Sequence, residues 1–324
     1  MSKISWFEKY KPKTIDDILG QNQPKKLLQQ ILINKDLPHI LFHGPPGVGK
    51  SLMLYNFIKQ FYHTYTDEMV MILNITDERG IKSVREKIKN FAKKSISKNI
   101  IEQGIDFKLI VLEEAETITP DAQTSLRRCI EQFSHITRFF MICNNINKVI
   151  DPIKSRFCIF YFNPILLNEA NQLMIEICQQ ENLSYDPKYL EEIYNLSKGN
   201  IRQLINILKY FYIVYHKIDY ESYHNYLQSK SIIVDKSLID NIKDNNNNYI
   251  VELTQNFINQ GFSVEIFLLQ IIDFIINQDY FVEKLKSDLL NEIHNIEHRL
   301  NNGGDEFINL LYLLKFINQL LINY

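Results

Sequence analysis

Gly44, Pro45, Pro46, Gly47, Val48, Gly49, Lys50 and Ser51 form a run whose residue types and spacing define a chemistry by themselves. A glycine, four residues and then Gly-Lys-Ser, following the apolar Ile40-Leu41-Phe42, make a phosphate-binding loop. Its glycines let the backbone curl without Cβ clashes, so that consecutive N–H groups and the positive end of the next helix face a β-phosphate. Lys50 then reaches the β- and γ-phosphates, and the Ser51 hydroxyl holds Mg²⁺. Leu52 to Phe61 carries the helix that such a loop requires.

Further chemistry lies downstream. The apolar Lys108–Leu112 runs into Glu113-Glu114-Ala115-Glu116. Acids at the end of a buried strand suit Mg²⁺ binding and polarisation of an attacking water. Glu113 is the candidate on the metal side and Glu114 the candidate base; the alternative is a solvated strand end. Asn144 ends the next apolar run, Arg138–Cys143, and falls beside them, where an amide positions a water or senses a γ-phosphate. Arg202 opens a helix after Gly199 and Asn200, and either reaches phosphates across a cleft or lies on a helix surface.

These residues need a scaffold. Leu37–Phe42, Met69–Asn74, Lys108–Leu112, Arg138–Cys143 and Cys158–Phe162 read as strands, and helical stretches separate them. Met69–Asn74 is apolar throughout, which predicts burial on both faces. The alternation predicts a doubly wound α/β domain with ligands at the carboxyl ends of its strands. Beyond Pro164 the composition turns helical: 168–181, 188–196 and a helix capped by Asn200. A third, all-helical segment starts near Ser231, with a turn or flexible loop at 245–248 and a break at Gly303-Gly304. The expected boundaries are 1–164, 165–232 and 233–324.

Composition narrows the partners. The 324 residues carry a formal net charge of −2, which gives no support to a generally basic nucleic-acid binder. Residues 233–324 hold 6 Lys/Arg against 13 Asp/Glu, leaving 30 against 25 in 1–232, so any DNA-binding surface belongs to the N-terminal two thirds. Such a surface exists as a pattern. Ile81, Val84, Ile88 and Phe91 recur at helical spacing, while Lys82, Arg85, Lys89 and Lys93 fall on another face. A solvated face is the alternative. The helix from Thr119-Pro120 buries Ala122, Leu126, Ile130 and Phe133 and carries Arg127-Arg128. No apolar run reaches the length of a membrane span, and the polar and aromatic first residues predict no signal peptide. Cys129, Cys143, Cys158 and Cys178 lack paired spacing and read as buried free thiols.

The chain resembles the small subunits of the replication factor C clamp loader, which are AAA+ ATPases. The likeness runs from Trp6 to about Tyr215. It is carried by Glu8-Lys9-Tyr10-Lys11-Pro12, Leu37-Pro38-His39, the phosphate loop, Asp77-Glu78-Arg79-Gly80-Ile81, Asp121-Ala122-Gln123, Leu126-Arg127-Arg128, Thr137-Arg138-Phe139, Cys143-Asn144 and Ser155-Arg156. Gln260-Gly261-Phe262 and Asn302-Gly303-Gly304 resemble the collar of that family. The resemblance implies an AAA+ α/β core, a helical lid and a helical collar. It implies that Tyr10, Lys11, Pro12 and Ile18 contact adenine, that Asn144 is sensor 1 and Arg202 sensor 2, and that Arg156 is an arginine finger for a neighbouring subunit. It also places Arg79, Lys82, Arg85 and Arg128 on DNA. ATP and Mg²⁺ are the implied ligands; a pentameric ring, a sliding clamp and primer–template DNA are the implied partners, with a nuclear address as the default. Four positions depart from the family: Glu113 replaces an Asp, Glu116 the closing Asp, Phe157 a Cys and Val48 a Thr. Glu113 predicts slow hydrolysis, so an ATP-binding, weakly hydrolysing subunit of the same ring is the second reading. Another AAA+ machine on DNA, a branch-migration helicase or an initiator, is the third.

Overall fold

The computed structural model describes residues 5–63, 66–74, 81–94, 96, 104–230, 234, 236–244, 247–277 and 282–323. It divides into two compact units, Met1–Ile218 and Asp219–Tyr324.

The first unit is built on a parallel sheet. β1 (Ile40–His43), β2 (Val70–Asn74), β3 (Lys108–Glu113), β4 (Thr137–Cys143) and β5 (Cys158–Tyr161) stand in the order β2-β3-β4-β1-β5. β1 lies between β4 and β5, with Ile40 opposite both Phe140 and Cys158. Successive side chains on a strand enter opposite layers. Phe42 and Phe140 join one buried cluster, with Leu28 and Phe57 from the helices Asn22–Asn34 and Lys50–Tyr62. Leu41, Phe139 and Met141 join the other, with Ile88 and Phe91 of the helix Ile81–Lys93 and Leu126, Ile130 and Phe133 of the helix Pro120–Phe133. Helices on both faces explain why Leu109 to Leu112 of β3 are apolar and fully buried.

β2 departs from the expectation of two buried faces. It is an edge strand, and Ile72 is 44% exposed. Cys158 corrects a second expectation: it is exposed on the other edge strand, whereas Cys129, Cys143 and Cys178 are buried. Met69 closes the short helix Thr66–Met69 rather than opening β2. The sheet is followed by the helices Leu167–Gln180, Pro187–Ser197 and Ile201–Val214.

Among the described residues, the second unit is helical: 220–230, Lys236–Asp244, Asn247–Asn259, Val264–Asn277, Glu283–Asn301 and Glu306–Asn323. Ile242, Phe257, Phe267, Ile271, Ile293 and Leu313 form its core. Asn247 and Asn248 start a helix instead of a turn, while 245 and 246 lie outside the described residues. Gly303, at φ +83°, separates the last two helices, a backbone setting open to glycine.

Candidate functional site

The carboxyl ends of β1, β3 and β4 open into a cleft of about 730 Å³. Pro46 to Leu52 line it, together with Glu113, Glu114, Glu116 and Asn144 and with Tyr10, Lys11, Pro12 and Ile18. Arg202 completes the wall. The structure thus gathers residues spread over nearly two hundred positions of the chain.

The loop is a glycine construction by necessity. Gly44, at φ +142°, passes so close to β5 that a Cβ would lie 2.4 Å from the Phe162 carbonyl oxygen. At Gly47, φ +76°, a Cβ would lie 1.8 Å from Asn200 Oδ1. Lys50 is buried, at 6% exposure, and its Nζ donates to Gly44 O at 2.7 Å, Pro45 O at 2.7 Å and Asn144 Oδ1 at 2.9 Å. All three acceptors are uncharged. Burial therefore holds this ammonium down to about 8, against a smaller upward pull from Cys143 and Glu116.

The acidic side is more connected than its sequence suggests. Glu113, at the end of β3, is half-buried, and burial, with the nearby Glu113 carboxylate, raises the pKa of the Tyr55 hydroxyl. Glu114 is exposed and adopts a left-handed φ of 52°, an uncommon setting for a side-chain-bearing residue. Glu116 Oε1 accepts from both Asn144 N at 3.0 Å and Asn144 Nδ2 at 2.7 Å. Lys50, Asn144 and Glu116 are consequently one hydrogen-bonded chain. The second Glu116 oxygen is buried without a hydrogen-bond partner among the described residues.

On the opposite wall, the Tyr10 hydroxyl donates to Glu181 Oε1 at 2.7 Å, and Lys9 Nζ donates to the same oxygen at 2.6 Å. Burial, with the Glu181 carboxylate, pushes Tyr10 up to about 12. Asn56, on the helix after the phosphate loop, donates to Pro12 O and Thr14 O, each at 3.1 Å. Ile18 is buried next to Gly49. Arg202 lies in the first turn of a helix capped by Asn200 Oδ1, which accepts from Gln203 N at 3.2 Å. Ile201 N donates to Gly47 O at 3.2 Å, joining that helix start to the phosphate loop.

Arg156 is absent from the cleft wall. Its guanidinium pairs with Glu131, which also takes Arg127 Nε at 3.0 Å, and donates to Pro152 O at 2.5 Å. Gln123, fully buried, ties this region to the acids: its Nε2 donates to Ile118 O at 3.0 Å and Lys148 O at 2.7 Å, and its Oε1 accepts from Ile150 N at 2.8 Å. The basic residues are only partly visible. Arg85 and Arg128 are exposed, and Arg85 lies near the buried Cys129, which follows Arg128 on the neighbouring helix. Arg79 and the side chain of Lys82 lie outside the described residues. Sequence reasoning missed Tyr55, Glu131 and Glu181 as partners of site residues. No local pattern announces contacts between positions 58, 25 and 171 apart in the chain, respectively.

Comparison with known proteins places this architecture. Residues 233–315 match the model of the replication factor C C-terminal domain, and 20–166 match that of the DNA polymerase III delta subunit. The chain is 34% identical over 316 residues to the replication factor C small subunit of Sulfurisphaera tokodaii, covering 96% of this chain and 94% of that one. It is 33% identical to replication factor C subunit 2 of Saccharomyces cerevisiae, covering 99% and 94%. Its fold is similar to the Thermotoga maritima RuvB Holliday junction branch migration motor, with a TM-score of 0.53 and 17% identity over 72% of this chain and 80% of that one. The AAA+ fold is therefore common to both, whereas sequence likeness across nearly the full length singles out one group: the chain belongs to the replication factor C small-subunit family.

Proposed function

We propose that the chain binds ATP with Mg²⁺ at Lys50 and hydrolyses it as one subunit of a pentameric clamp-loader ring, which opens a sliding clamp and loads it at primer–template junctions. The carrying observation is a buried ammonium whose three acceptors are all uncharged, at the floor of a cleft where the loop, the acids, Asn144 and Arg202 meet. A buried cation without a charged partner is costly, and an anionic phosphate supplies that partner. The positive end of the helix Lys50–Tyr62 faces the same space. These residues fit a nucleotide triphosphate.

Each residue then has a task. Ser51 and Glu113 hold Mg²⁺, which when bound neutralises charge on the phosphate oxygens. Glu114 accepts the proton of the attacking water, and Asn144 orients that water while Glu116 fixes the Asn144 amide. Tyr10, Lys11, Pro12 and Ile18 take the base, and Arg202 takes the γ-phosphate. Arg156, turned from its own cleft, serves a neighbouring subunit's ATP, and Arg79, Lys82, Arg85 and Arg128 follow DNA phosphates. Residues 1–164 act as the AAA+ core, 165–232 as its lid and 233–324 as the collar between subunits.

One observation favours the weakly hydrolysing variant of this reading: the acid that ends β3 is the longer Glu113, and it is half-buried there. The main test is Lys50→Ala, which is expected to abolish ATP binding in a calorimetric titration of the full chain. Unchanged affinity overturns the proposal.

A further inference from the structure

We propose that Phe7 is a positioning residue for Arg202: its ring seats the guanidinium inside the nucleotide cleft while leaving N–H donors for phosphate, sharpening the preference for a triphosphate over a diphosphate. The inference rests on the reading of Arg202 as a phosphate-binding residue.

Arg202 Cζ lies 5.3 Å from the centroid of the Phe7 ring, and both residues line the cleft. A cation is attracted to the face of an aromatic ring. The guanidinium carries five N–H donors, more than one ring contact can engage, so donors remain for phosphate oxygens. Ring and phosphate can therefore hold Arg202 at the same time. An unseated arginine would instead sample rotamers in solvent, and a bound phosphate would have to order it.

The seat is itself fixed. Phe7 belongs to the short helix Trp6–Lys9, and the Trp6 ring lies 5.1 Å from Tyr212, on the same helix as Arg202. Lys9 and Tyr10 bond Glu181, and Asn56 holds the next stretch, at Pro12 and Thr14, to the phosphate-loop helix. The arginine also starts from a fixed point, since Ile201 N donates to Gly47 O. Phe7 is 36% exposed, so burial in a core does not account for an aromatic ring here.

The test is calorimetric titration of the full chain with ATP and with ADP. Phe7→Ala is expected to weaken ATP about two- to fivefold, the range of an exposed cation–π contact, with ADP unchanged. Phe7→Leu, which keeps apolar bulk but lacks the π face, is expected to lose as much, and Phe7→Tyr to restore wild-type affinity. In an Arg202→Ala background Phe7→Ala is expected to have no further effect. Equal weakening of ATP and ADP, wild-type behaviour of Phe7→Leu, or a persisting effect without Arg202 overturns the proposal. If Arg202→Ala leaves ATP affinity unchanged while Lys50→Ala abolishes it, the phosphate role of Arg202 fails and the seat falls with it. If Arg202→Ala weakens ATP and Phe7→Ala does not, the seat alone fails.

Discussion

Lys50 keeps its ammonium in a buried setting that favours the neutral amine, and this has a consequence for pH. Its pKa of about 8 in the ligand-free chain must rise when an anionic phosphate arrives. Between the two values the complex holds a proton that the free chain has released, so ATP affinity is level below pH 8 and falls above it, by up to tenfold per unit. Calorimetry from pH 7 to 9.5 checks this, and a flat profile contradicts it. Glu113 carries a second residue-scale argument. Its carboxylate extends one methylene beyond that of Asp, and a misplacement of about 1 Å can cost on the order of 10² in rate. Mg²⁺ demands near-octahedral geometry but keeps several waters, which absorb part of the error. Glu113→Asp is accordingly expected to raise steady-state turnover of the assembled complex, while Glu114→Gln lowers it and traps bound ATP. A drop in Glu113→Asp would mean that the site is rebuilt around the longer acid.

The strands position the site through contacts remote from it, and His39 is one of them. Its Nδ1 accepts from Phe139 N at 3.1 Å, at the foot of β1 and β4, which requires a neutral imidazole. Burial, then the nearby Arg138, holds its pKa down to about 4. Because the unfolded chain binds a proton near pH 6.5 and the folded chain does not, stability present above pH 6.5 is lost as pH falls towards 4. The loss is about 2 kcal/mol by pH 5. Urea unfolding at pH 7.5 and pH 5 measures it, and the difference is expected to shrink in His39→Gln. At this scale much could be read from the chain itself: the five strands, the helix capped by Asn200 and the loop around Lys50 all carry local patterns of spacing and capping. Ile72 shows where local pattern ends, because an apolar run does not say whether its strand lies inside a sheet or at its edge. Glu116 shows it at the site. Its sequence context places it after a strand, but only the parallel register of β3 beside β4 brings its carboxylate to Asn144.

For the whole molecule the decisive residue is Arg156, because it does not line the cleft where its own chain would bind phosphate. Pairing with Glu131 holds its guanidinium on the helix Pro120–Phe133, and Gln123 anchors that helix to the segment leading to Arg156. An arginine finger is worth 10³ to 10⁵ in rate where it acts. Arg156→Ala is therefore expected to leave the isolated chain's ATP affinity unchanged while the assembled ring loses turnover at one site. Two measurements separate the possibilities: a calorimetric titration of the mutant chain alone, and single-turnover hydrolysis by the ring containing it. Loss of binding in the isolated mutant, with normal turnover in the ring, would make Arg156 a structural partner of Glu131. Retained binding with a lost catalytic site would assign its work to the neighbouring subunit, and would make the ring, rather than the single chain, the unit that hydrolyses ATP.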